Sequence, residues 1–118
     1  MSVVDKKSIQ NLLDLSSGAG QELLGNLVNL FISETPKRWN EIRQGVKKND
    51  FKAVEMAAHS MKSGAAYLGV LDIVNIANEI ELHARGNKFS DNIDAQLLEI
   101  ENYYNLAIEE FNVELLAS

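Results

Sequence analysis

The chain has 118 residues, no cysteine and a formal charge of −6 at pH 7. That length sustains one core but not a catalytic domain with a separate binding domain, and without cysteine there are no disulfides, thiolate metal sites or cysteine nucleophiles. An acidic surface disfavours nucleic acid and anionic membranes, and no apolar run reaches the ~18 residues of a membrane span, so one cytoplasmic, monomeric domain over residues 1–118 is expected.

Every predicted element is a helix. Asp5 caps a short first helix whose inner face is Ile9, Leu12 and Leu13, and Ser16–Gly20 breaks it. A longer segment follows, with Leu24, Leu27, Phe31, Thr35, Trp39, Ile42 and Val46 at steps of three or four. Pro36 interrupts it and leaves two readings: one kinked helix, or Thr35 capping a new helix with Pro36 at its first position. The stripe keeps its phase across the proline, which favours one helix. Lys47–Asp50 is a polar turn, with Asp50 placed to cap the next helix and Gly69 to close it. Asp72 opens a helix with Ile73, Ile76, Ala77 and Ile80 inward, ended by Gly86 and Asn87. After the loop Lys88–Asn92, a last helix from Ile93 to Leu116 buries Leu97, Tyr104, Ile108, Phe111 and Leu115. Period-two alternation is nowhere sustained. The expected fold is all-α: an up-and-down four-helix bundle preceded by a short extra N-terminal helix.

The helix from Phe51 carries one of the two histidines. Val54, Ala57, Ala58, Met61, Ala65 and Leu68 form its apolar stripe, while Glu55, His59, Lys62, Ser63 and Ala66 gather on a neighbouring face. His59 therefore stands off the core, with a lysine one turn ahead and small residues beyond. Neutral imidazole is a good nucleophile near pH 7. Small neighbours leave room for a bulky phosphorylated partner, and Lys62 can offset charge on a transferred phosphoryl group. The plainer reading makes His59 a surface histidine and Lys62 a solvated lysine. Enzyme motifs are missing: Gly18–Gly25 (GAGQELLG) has no preceding strand and no Lys-Ser/Thr ending, so it is a helix start and not a phosphate cradle. His59 and His83 fall on different helices without a third ligand at metal spacing, so no metal site is expected.

His59–Gly69, HSMKSGAAYLG, resembles the signature of histidine-containing phosphotransfer (HPt) domains: histidine, lysine at +3, small residues, then Leu-Gly at +9 and +10. The resemblance extends over FISETPKRWNEIRQGVKKNDFKAVEMAAHSMK and the pair Ile80-Glu81, with Ser63 where the family usually has glycine. It implies a relay module that accepts a phosphoryl group on His59 from a receiver-domain aspartyl phosphate and passes it to another receiver. Its partners would be response-regulator receivers or a hybrid histidine kinase. It would have no ATP site and no cofactor, magnesium belonging to the receiver. Lys62 would stabilise phosphoryl charge, with Glu55, Met56, Ser63, Ala66 and Tyr67 as the docking face. Peripheral packing is the equal alternative for Met56 and Tyr67. For the whole chain the alternative is a helical interaction module that never carries phosphate, which has no need of His59 with Lys62.

Overall fold

The computed structural model describes residues 2–14 and 19–117, with side chains as far as Val113. Its five helices are α1 (Lys6–Leu13), α2 (Ala19–Lys47), α3 (Phe51–Tyr67), α4 (Leu71–Arg85) and α5 (Ile93–Ala117). Among the described residues there is no strand. Helices α2 to α5 pack in sequence, α5 closes on α2, and α1 lies against α2: the expected bundle with its extra helix. The molecule measures 46 × 25 × 20 Å. The long axis matches the 29 residues of α2 at about 1.5 Å each.

Helix α2 runs unbroken through Pro36. Proline has no amide hydrogen, so the carbonyl of Ile32, four residues back, loses its helical donor. The Tyr104 hydroxyl of α5 takes that place and donates to the Ile32 oxygen at 2.7 Å. Around this bond, Tyr104 packs edge-on to Trp39 and close to Phe31, which meets Phe111 edge-on. The defect in α2 thus coincides with the aromatic seam between α2 and α5.

Three helices end in one way. Asn49, Gly69 and Asn87 adopt left-handed φ values of 53°, 71° and 59°. The following amides, of Asp50, Val70 and Lys88, return to the carbonyls of Gly45, Ala65 and His83 at 2.8 to 3.0 Å. This is the Schellman arrangement, which satisfies carbonyls that a helix end leaves open. Asp50 also accepts the Ala53 amide, so one residue closes α2 and caps α3. At the end of α4 the left-handed residue is Asn87, not Gly86; asparagine also tolerates that region. At Gly69 any side chain would also lie 2.7 Å from the Cβ of Ser8.

Two expectations are corrected. The break over 16–20 is narrower, because Ala19 and Gly20 already belong to α2; residues 16–18 lie outside the described residues, as does the Leu115 side chain. Helix α4 begins at Leu71, one residue before Asp72. Ahead of α1, Val3 and Val4 are buried without any periodicity to announce it. Their amides are held by the two carboxylate oxygens of Glu110 at 2.7 and 2.8 Å.

Candidate functional site

The α3 stripe read from the sequence is the buried one: Val54, Ala57, Ala58, Met61, Ala65 and the capping Leu68 all face the core. His59 is turned away from it and its side chain is 61% exposed. Facing it across the α3–α4 seam is Glu81, on the inward side of α4 between Ala77 and Ala84 and only 2% exposed. The imidazole Nδ1 lies 2.9 Å from Glu81 Oε2.

Glu81 is the hub of a charged chain. Lys62 Nζ sits 2.5 Å from Oε1 and also donates to Asn78 Oδ1. Arg85 donates from Nη2 to Oε2 at 2.9 Å and from Nε to Glu55 Oε2 at 3.0 Å, while Lys52 pairs with the other oxygen of Glu55. Burial alone pushes the Glu81 carboxyl up, but hydrogen bonds and charge from Lys62 and His59 outweigh it and hold the pKa below the ordinary value. Glu55 is likewise held low, first by the Arg85 hydrogen bond, and the same bond raises Arg85.

An ionised carboxylate only accepts, so the neutral imidazole must carry its proton on Nδ1. That leaves the lone pair on Nε2, on a ring open to solvent. A buried carboxylate thus fixes both the tautomer and the orientation of an exposed imidazole.

Around it, Ser63, Gly64 and Ala66 are exposed, and a Cβ added at Gly64 would meet nothing within 4 Å. Met56 and Tyr67 are exposed, and each lines a surface groove with residues of α2. Glu55 is half-buried and tied into the charge chain. Lys62 is drawn into the site too, but its ammonium is engaged by Glu81 and Asn78. His83 donates from Nδ1 to the Glu79 carbonyl of its own helix and takes no part in the contacts around His59. Among the described residues, no three His, Asp or Glu side chains are grouped to hold a metal ion, and no helix is long and apolar enough to cross a membrane.

Sequence reasoning did not assign Glu81, Asn78 or Arg85 to the site. The signal for Glu81 was present: it stands four residues after Ala77, inside the apolar stripe of α4, with an arginine at i+4.

The family model for the Hpt domain matches residues 26–110, nearly three quarters of the chain and all of the site. The chain belongs to the Hpt domain family. Two solved structures share the fold of this Hpt domain. Histidine-containing phosphotransfer protein B from Pseudomonas aeruginosa PAO1 superposes with a TM-score of 0.77 at 21% identity, covering 98% of this chain and 96% of that one. The HPT domain of an Hpt sensor hybrid histidine kinase from Shewanella superposes with a TM-score of 0.72 at 16% identity and the same coverage. No curated protein matched. As an Hpt domain, the chain is a phosphorelay intermediate of two-component signalling, a phosphotransfer carrier whose family works with receiver domains and hybrid kinases.

Proposed function

We propose that His59 is the residue that carries the phosphoryl group. The observation behind this is the exposed imidazole whose Nδ1 is held by the buried carboxylate of Glu81. In the forward step, the Nε2 lone pair attacks the phosphorus of a receiver's aspartyl phosphate. The N–P bond forms as the P–O bond breaks, and the aspartate leaves as carboxylate with the electron pair. The ring keeps its Nδ1 proton and becomes cationic against Glu81. In the reverse step a receiver carboxylate attacks phosphorus, and the ring takes its electron pair back as the same neutral tautomer. No proton need move in either direction, which suits a carrier that must both accept and donate.

Lys62 adds positive charge one turn from the acceptor, favouring the phosphorylated state. The open face formed by Met56, Ser63, Ala66 and Tyr67, with Glu55 at its border, gives a receiver its approach. The phosphoryl group comes from a protein donor and not from ATP, magnesium being the receiver's; the domain works as a monomer in the cytoplasm, without nucleic acid or membrane. The test is incubation with a phosphorylated receiver. The wild type should gain an acid-labile, base-stable label, and His59→Gln should gain none. Label persisting in that variant refutes the assignment.

A further inference from the structure

We propose that Arg85 is the cation that takes hold of the phosphoryl group on His59, and that it does so by letting go of Glu55. The inference rests on His59 being the phosphorylated residue. Lys62, the cation that sequence spacing points to, is only 26% exposed and is committed to Glu81 Oε1 and Asn78. Arg85 is 57% exposed and lines a shallow depression with His59, Lys52, Glu55, Met56 and Ser60. Its Nη2 shares Glu81 Oε2 with the imidazole Nδ1, which fixes the guanidinium beside the ring. Its Nε is spent on Glu55, at the border of the same depression.

A phosphoryl group on Nε2 changes this balance. It brings close to two negative charges and three strong acceptor oxygens, against the single charge of Glu55. Guanidinium matches phosphoryl oxygens with two parallel donors, and such charge-assisted pairs are the stronger hydrogen bonds. Glu81 is buried and held by Lys62, so it stays in place. Glu55 keeps Lys52 at 3.5 Å when Arg85 leaves. Glu55 is therefore a stand-in anion that parks the guanidinium until phosphate arrives.

The experiment uses protein phosphorylated with potassium phosphoramidate, so that docking to a receiver plays no part, and follows the phosphoryl titration by 31P NMR. Mapping the modified residue comes first: phosphate on a residue other than His59 sinks the underlying reading and this inference with it. With phosphate on His59, Arg85→Ala should raise the titration midpoint by about half a pH unit or more, because a nearby cation favours the dianion. Glu55→Gln should lower it, because the guanidinium is no longer competed for. An unchanged midpoint in Arg85→Ala overturns the contact. An unchanged or raised midpoint in Glu55→Gln overturns the exchange and makes Glu55 a mere support for Arg85. The 15N shifts of unphosphorylated His59 should keep the Nδ1–H tautomer in both variants; loss of it in Arg85→Ala shows that Arg85 acts only through Glu81, and that too overturns the proposal.

Discussion

At the scale of the residue, Glu81 decides the most. A carboxylate 2% exposed loses its hydration, a cost of several kcal/mol that only close partners offset. Here the partners come from two helices: His59 and Lys62 from α3, Arg85 from α4 itself. Glu81→Ala leaves the Lys62 ammonium without its carboxylate and should cost about 3–5 kcal/mol, the scale for breaking a buried pair. Glu81→Gln keeps a carbonyl to accept from Nδ1 and should retain the tautomer while losing the charge. The pH dependence separates charge from shape. The folded-state pKa of Glu81 lies below its unfolded value of about 4.5. Its contribution is therefore complete above that value and fades as pH falls through the folded pKa. Urea unfolding between pH 7 and pH 3 should show the wild type losing more stability than Glu81→Gln; parallel losses would mean the carboxylate is not preferentially ionised in the fold. The sequence marked His59 and Lys62 because i, i+3 spacing on one helix is legible. A contact between residues 59 and 81 depends on how α3 rolls against α4, and no spacing encodes that.

At the scale of the element, helix type and inner faces were legible almost throughout, since four stripes repeat at three and four residues. Helix ends were legible where one side chain determines them, as at Asp5, Asp50 and Gly69. The buried Val3–Val4 segment was not, because its order comes from a carboxylate more than a hundred residues away. Pro36 shows the same division. The unbroken stripe argued for a single helix, but what makes the proline tolerable is Tyr104, again from another element. Tyr104→Phe should leave the Ile32 carbonyl without its donor and cost about 1–3 kcal/mol, the scale of an unmet buried acceptor. Pro36→Ala restores an amide that can donate to that carbonyl. The hydroxyl should therefore matter much less in the alanine background, giving a positive coupling in a double-mutant cycle followed by denaturant unfolding. Equal costs of Tyr104→Phe in both backgrounds would show that the hydroxyl does not answer for the proline.

At the scale of the whole molecule, the bonds that anchor the N-terminal residues lie apart from the open face around His59. The N-terminal residues are tied to the fold by Glu110 on α5, and the Asp5 amide donates to the Gly69 carbonyl in the turn after α3. Those bonds hold chain to chain and involve none of the charged groups around His59. The face of His59, Ser63 and Ala66 does the opposite: it makes few contacts and stays open. Substitutions in the two regions should therefore split stability from relay. Glu110→Ala removes a charged acceptor from two backbone amides and should lower unfolding free energy by about 1–3 kcal/mol. Transfer from a phosphorylated receiver, measured well below the unfolding temperature, should not change. Ala66→Arg puts a long side chain on an exposed position and should move stability by no more than about 0.5 kcal/mol. Its bulk two turns from His59 should nonetheless slow transfer from a receiver at least tenfold, while labelling by phosphoramidate, which needs no docking, stays at the wild-type rate. Normal receiver transfer in Ala66→Arg would place the partner on another face, and slowed transfer in Glu110→Ala would show that the anchored N-terminal residues belong to the docking surface as well.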